Sequence, residues 1–96
     1  MRGKIAILPP VVVTELLSNP AMPEEARAEI VSLNRLTTDE TYWERAGILR
    51  AALRRAGVKA HLADCLIAQA CIDNDAPLIT YDRDFRHFES AGLKLI

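Results

Sequence analysis

The sequence predicts an α/β domain in which helices pack on both faces of a short parallel sheet. Segments with strand-type and helix-type patterns alternate along the chain, which is typical of a layered parallel fold. The chain has 96 residues, half of them hydrophobic and about a quarter charged, which suits one small domain with a single core. No linker, repeat or low-complexity segment divides it, so we expect one domain over residues 1–96.

The first third of the chain predicts one strand and two helices. The apolar run Lys4–Leu8 is a β-type segment that ends at two prolines. The next segment, Val11–Ser18, combines a β-branched triplet with a helical continuation, and Pro10 suits a first helical turn, so we predict a helix. Pro23 and the two glutamates after it begin a second helix, because carboxylates complement the positive end of the helix dipole.

The middle of the chain predicts a short edge strand and the most regular helix. Asn34–Leu36 is the edge strand, and Thr37–Glu40 fits a capping box, with threonine at the cap and glutamate three residues later. Apolar residues then recur at spacings of four and three from Tyr42 to Ala56. Gly57 supplies the end of this helix.

The last third predicts a buried helix followed by two short strands. Leu62–Asn74 is apolar on most sides, and Pro77–Thr80 has the pattern of a central strand. Asp82–Glu89 is predicted as a short helix or turn that Gly92 ends. Leu93–Ile96 is then predicted as the last strand.

Composition excludes several classes of function. The net charge is −1, so a nucleic-acid partner would have to be bound by a local basic patch. Cys65 and Cys71 fit neither a CxxC motif nor a zinc-site spacing, and we expect free thiols in a reducing cytoplasm. No membrane span, signal peptide, GxGxxG motif or Walker A loop is recognisable.

Three acidic residues are predicted to meet at one edge of the sheet. The helix from Leu62 leads away from one edge of the sheet, and the strand that ends at Thr80 leads back to that edge. Asp64 and Asp82 are therefore expected to lie near the same edge. Glu15 follows the first strand, so the helix that carries it is expected to begin at the same edge of the sheet. Carboxylates of this kind suit Mg²⁺ or Mn²⁺ better than zinc.

Each of these acidic residues also has a simpler interpretation. Asp64 is equally suited to complement the helix dipole, and Asp82 is a good N-cap for the short helix after it. Glu15 is equally compatible with a half-exposed helix that points it to solvent. Basic residues beside the predicted edge are either phosphate contacts or a solvated surface: Arg50, Arg54, Arg55, Lys59, His61, Arg83, Arg86 and His87.

The segment ADCLIAQACIDNDAPLITYDRDF resembles the PIN domain family, especially the toxin ribonucleases of VapBC-type toxin–antitoxin pairs. The resemblance lies in a D-xx-IA helix followed by a strand and T-x-D-x-DF, and it covers the last third of the chain closely. PPVVVTELLS is similar to the second-strand region of the family, and the middle of the chain matches only in its helix pattern.

The resemblance implies a three-layer α/β/α sandwich with a parallel sheet, and hydrolysis of RNA by a water that Mg²⁺ or Mn²⁺ activates. It implies that Glu15, Asp64 and Asp82 are catalytic metal ligands, with Asp84 as a further ligand. Thr80 and Arg83 would contact the substrate. RNA is the implied substrate and an antitoxin protein a possible partner. The alternatives are a non-catalytic PIN-like module that binds RNA or protein, and an unrelated α/β domain whose acidic residues are caps.

One departure from the family pattern concerns the first strand. These domains normally begin with a central strand of the form hhhDTNhhh, whereas this chain begins where the second strand is expected. We therefore expect an N-terminally truncated domain without that strand and its aspartate, and with weakened or lost activity. A truncated product, a late gene start and a rebuilt domain are the three explanations that this departure leaves open. Lys4–Leu8 and Leu78–Thr80 would then have unpaired edges, which direct pairing, a homodimer or another partner would complete.

Overall fold

A computed structural model of the chain describes residues 7–32 and 34–96, and this part of the chain is mainly helical. Two strands of two residues each, β1 (Ile7–Leu8) and β2 (Asn34–Arg35), pair in parallel. The remaining elements are helical: α1 (Pro10–Leu17), α2 (Glu24–Ser32), α3 (Tyr42–Arg55), α4 (Leu62–Asp73) and a 3-10 helix (Arg83–Ala91). No helix in these described ranges is long and apolar enough to cross a membrane.

The predicted three-layer sandwich with its parallel sheet is wrong for the described residues, where β1 and β2 form the only sheet. The predicted strands Pro77–Thr80 and Leu93–Ile96 contribute a single parallel bridge between Leu78 and Leu95. Leu78 donates its N–H to the carbonyl of Lys94 at 2.8 Å and accepts the N–H of Ile96 at 3.1 Å. Pairing does not extend towards the amino end of this segment, because Ala76 donates its N–H to the carbonyl oxygen of Cys71 at 2.9 Å.

The first predicted strand is confirmed where the structure describes it. Ile7 and Leu8 are β1, whereas Lys4 to Ala6 lie outside the described residues. The short strand predicted at Asn34 is confirmed as β2, and it is the partner of β1, which was not predicted. The expected direct pairing of Lys4–Leu8 with Leu78–Thr80 is not found in the described ranges.

The helices begin close to their predicted positions. Pro10 occupies the first turn of α1 and Val13 is buried, which confirms the helical interpretation of the β-branched triplet. Glu24 and Glu25 form the first turn of α2. The predicted capping box before α3 is wrong, since Thr41 occupies the N-cap without a side-chain cap bond. Asp39 instead accepts hydrogen bonds from the N–H and hydroxyl of Thr41, each at 2.9 Å, in a local turn.

Helix α4 is the centre of the fold, as its apolar sequence predicts. Cys65, Ala68 and Ala70 are fully buried, and α1, α3 and the 3-10 helix all pack against α4. The hydroxyl of Tyr42, in α3, donates a hydrogen bond of 2.6 Å to the carbonyl oxygen of Leu66. Both cysteines of α4 are free thiols, as predicted. The elements around α4 are therefore fixed relative to its first turn, where Asp64 lies.

Candidate active site

Asp64 lies in the first turn of α4, three residues after the N-cap residue His61. The side chain of His61 makes no cap hydrogen bond. Asp64 is the acidic residue in the first turn of α4, and its negative charge complements the positive end of the helix dipole. Asp64 is half-buried, because α4 enters the core within one turn. A carboxylate in this position combines partial desolvation with access to solvent.

Asp82 lies at the start of the 3-10 helix and caps it, which confirms the simpler interpretation of this residue. Its Oδ1 atom accepts the N–H of Asp84 at 2.9 Å. The N–H of Asp82 itself donates to the hydroxyl of Thr80 at 3.0 Å. These two bonds orient the turn and leave Oδ2 of Asp82 without a hydrogen bond in the described part of the chain.

Asp82, Asp84 and Glu15 all lie within electrostatic range of Asp64, although the four residues come from three separate elements. Burial raises the pKa of the Asp64 carboxyl above its ordinary value, and the negative charge of Asp82 raises it further. His61 acts in the opposite direction. Asp84 and Glu15 add smaller increases to the same pKa. The structure thus brings α1, α4 and the 3-10 helix together around Asp64 without the predicted central strand.

The donor chemistry of this cluster fits a hard divalent cation, since all four side chains offer carboxylate oxygens. Their spacing is wider than a preformed metal site: within residues 7–32 and 34–96, no three Asp, Glu, His or Cys side chains lie close enough to hold an ion. Glu15 and Asp82 are exposed. Rotation of their side chains is therefore the movement that would bring more oxygens towards Asp64.

The two predicted substrate contacts occupy different positions. Thr80 is half-buried and positions Asp82 through its hydroxyl, whereas Arg83 is exposed in the first turn of the 3-10 helix. The sequence prediction missed Tyr81, which lies between Thr80 and Asp82 and is fully exposed. An aromatic residue inside the T-x-D-x-DF motif was the signal that could have identified it.

Comparison with known families decides the assignment, because the family model described as PIN domain matches residues 2–90. The chain belongs to the PIN domain family. PIN domains are nuclease-type modules that generally depend on divalent metal ions. No curated protein and no solved structure matches the chain.

The match confirms the family that the sequence motifs resemble, and it includes all four acidic residues of the candidate site. In this PIN domain Asp64 is carried by helix α4 and Asp82 by the turn before the 3-10 helix. In the described residues its sheet is reduced to β1 and β2. The candidate site is consequently assembled by packing of helices around α4, and not by the edge of a large sheet.

Proposed function

We propose that this PIN domain is an endoribonuclease of toxin–antitoxin type that uses Mg²⁺ or Mn²⁺. The observation that carries the proposal is the position of Asp64, which lies at the start of the buried helix α4 and faces the charges of Asp82, Asp84 and Glu15. RNA is the proposed substrate. An antitoxin protein and a second copy of the chain are the proposed protein partners.

Glu15, Asp64 and Asp82 would hold the metal ion, and Asp84 would be a further ligand. When bound, such an ion polarises the scissile phosphate and lowers the pKa of a coordinated water. The backbone of Asp64 is held by the core, because Cys65, Ile67 and Ala68 directly after it on α4 are buried. Asp82 presents its free Oδ2 from a turn that Thr80 and its own cap bond hold in place.

Exposed groups beside the carboxylates are suited to the proposed substrate. Arg83 follows Asp82 directly and offers a guanidinium to an RNA phosphate. Tyr81 precedes Asp82 and exposes its whole ring, which provides a surface on which an unpaired base can stack. This pairing of an exposed aromatic ring with a nearby cation favours single-stranded RNA.

An RNA-cleavage assay tests the proposal directly. We expect cleavage of a single-stranded RNA with Mg²⁺ or Mn²⁺ and none with EDTA. Asp64→Asn should reduce the rate by more than about a hundredfold, since even groups that only support metal ligands can contribute that much. Asp75→Asn is the matched control, because Asp75 lies beyond the opposite end of α4 and pairs with Lys94. Equal rates for the two variants would exclude Asp64 from the reaction.

The spacing of the carboxylates favours a second candidate function, a PIN module that binds RNA without cleaving it. No three of the possible ligands lie together in the described residues, so the carboxylates as placed do not form a metal site. RNA that is bound but remains intact with Mg²⁺ and with Mn²⁺ would support the binding module over the nuclease.

A further inference from the structure

A basic cavity lies where α3 ends and α4 begins. Its volume is about 490 Å³, and it is shallow and largely open to solvent. Arg50 and Arg54 line it from α3, while Lys59 and His61 line it from the connection to α4. No carboxylate is among the residues that line this cavity. The cavity therefore concentrates positive charge on a chain whose net charge is −1.

The turn after α3 builds this cavity. Gly57 adopts a φ of +85°, and the N–H of Val58 reaches back to the carbonyl of Leu53 at 2.9 Å. The N–H of Gly57 bonds to the carbonyl of Arg54 at 3.0 Å, which completes a Schellman motif. The chain consequently reverses within two residues, so that Lys59 lies opposite the helical face that carries the two arginines.

Arg50 is fixed at this position before any ligand binds. Its Nε donates a hydrogen bond of 2.9 Å to the carbonyl oxygen of Ala60, and its side chain is half-buried. That bond leaves both terminal nitrogens of the guanidinium without a hydrogen bond in the described part of the chain. A guanidinium held in this way loses little conformational freedom when it binds an oxyanion.

The cations of the cavity differ from Arg45, which lies one helical turn and a half earlier on α3. Arg45 is neutralised by ion pairs with Asp39 and Asp73. Within the described residues, Arg50, Arg54 and Lys59 have no ion pair at all. Like charges one helical turn apart destabilise a helix, so an anion in the cavity would relieve this repulsion.

The cavity adjoins the candidate active site through His61. This residue lines the cavity and is also the N-cap of α4, one turn before Asp64. We infer that the cavity binds a phosphodiester group of the RNA strand, adjacent to the one that is cleaved. The identity of the ligand as RNA rests on the proposed function, whereas an oxyanion of the phosphate type follows from the four lining side chains alone.

A binding experiment without divalent metal separates this inference from catalysis. The full chain is titrated into a fluorescent single-stranded RNA in EDTA at several salt concentrations. Arg54→Ala and Lys59→Ala should each weaken binding about three- to tenfold and lower the slope of log affinity against log salt by about 0.7. Arg55→Ala is the matched control, because Arg55 is an exposed neighbour on the same helix that does not line the cavity. Unchanged melting temperatures establish that each variant is folded.

Each outcome decides the inference. Weaker RNA binding by Arg54→Ala and Lys59→Ala, but not by Arg55→Ala, supports the inference. If the same result is found and no RNA is cleaved, the inference stands and only the nuclease proposal fails. Equal affinities for these variants and Arg55→Ala would overturn the inference even if cleavage occurs. Absence of RNA binding, or binding of inorganic phosphate in its place with the same dependence on Arg54, would also overturn it.

Discussion

Arg45 and Asp73 form a bidentate ion pair, in which Nη1 lies 2.5 Å from Oδ1 and Nη2 lies 2.7 Å from Oδ2. This pair joins α3 to the last residue of α4. Gln69 donates a further bond of 2.8 Å to Asp73, and Arg45 donates one of 3.1 Å to Asp39. The acidic groups at this end of α4 are thus neutralised, whereas those around Asp64 at the other end have no such cationic partner in the described residues.

The ion pairs of Arg45 predict a loss of stability in acid. Hydrogen bonds from Arg45 lower the pKa of Asp73, and bonds from Thr41 and Arg45 lower that of Asp39. Because both folded pKa values lie below the unfolded ones, this stabilisation is complete above about pH 5 and is lost as pH falls through the lowered values. Urea unfolding from pH 7 to pH 2 measures it. Arg45→Met should flatten the decline, and an undiminished decline would contradict this explanation.

Asp64→Asn is expected to stabilise the fold at neutral pH, although it should slow the proposed cleavage. The pKa of Asp64 is raised by burial and by Asp82, so the folded state disfavours the charged form. Its contribution to stability is present below the unfolded pKa and is lost as pH rises through the raised value. The variant should therefore gain more stability at pH 7 than at pH 3 in urea unfolding. A variant that is less stable than the original chain at pH 7 would contradict this account.

Divalent metal should stabilise the original chain more than the Asp64→Asn variant. A ligand that binds only the folded state adds about 2.7 kcal/mol at a hundred times its dissociation constant. We expect Mn²⁺ or Mg²⁺ to raise the melting temperature of the original chain and of Asp75→Asn, and EDTA to reverse the effect. An equal rise for Asp64→Asn would place the ion elsewhere on the molecule.

The two tyrosines provide a matched test of the core. Tyr42 is buried and donates its hydroxyl to Leu66, whereas Tyr81 is fully exposed. Tyr42→Phe should lower the free energy of unfolding by about 0.5–1.5 kcal/mol, since the carbonyl loses its partner. Tyr81→Phe should leave stability unchanged. Chemical denaturation of both variants measures the difference, and similar losses would show that the buried bond contributes nothing specific.

Tyr81 is expected to act in RNA binding. Tyr81→Ala should weaken binding of single-stranded RNA by about 1–3 kcal/mol, the usual contribution of one stacked base. Tyr81→Phe retains the aromatic ring and should bind like the original chain, which separates stacking from a hydroxyl contact. Fluorescence anisotropy in EDTA measures both variants. Normal affinity of the alanine variant would remove Tyr81 from the proposed site.

The helices were predictable from the sequence because their signals are local. Pro10, the glutamates of α2 and Gly57 mark helix ends through backbone chemistry that depends on few neighbours. The two strands predicted in the last third were not, since a run such as Pro77–Thr80 becomes a strand only when a partner pairs with it over several residues. The capping box failed for a related reason, because Asp39 bonds to Thr41 and shifts the start of α3.

The acidic cluster was predicted from a geometry that the structure only partly retains. The expected strand up to Thr80 is reduced to a bridge at Leu78, yet Asp82 still lies within electrostatic range of Asp64. Phe85 and Phe88 pack into the core near α4, and this packing, in place of a strand, keeps Asp82 near Asp64. The roles of the residues stay predictions, since spacing along the chain does not fix distances between side chains.

The Leu78–Leu95 bridge has a consequence for motion near the site. The segment that carries Asp82 and Asp84 is anchored after these residues by Phe85 and Phe88, which pack in the core. Before them it is anchored by the Leu78–Leu95 bridge. Few backbone hydrogen bonds must break for such a segment to open, whereas the amides of α4 are held by helical hydrogen bonds in a largely buried helix. Amide hydrogens at Leu78 and Ile96 should therefore exchange with solvent long before those of α4. The distance between Asp82 and Asp64 would then vary in the folded protein, and the affinity of the proposed metal site would depend on the segment Leu93–Ile96.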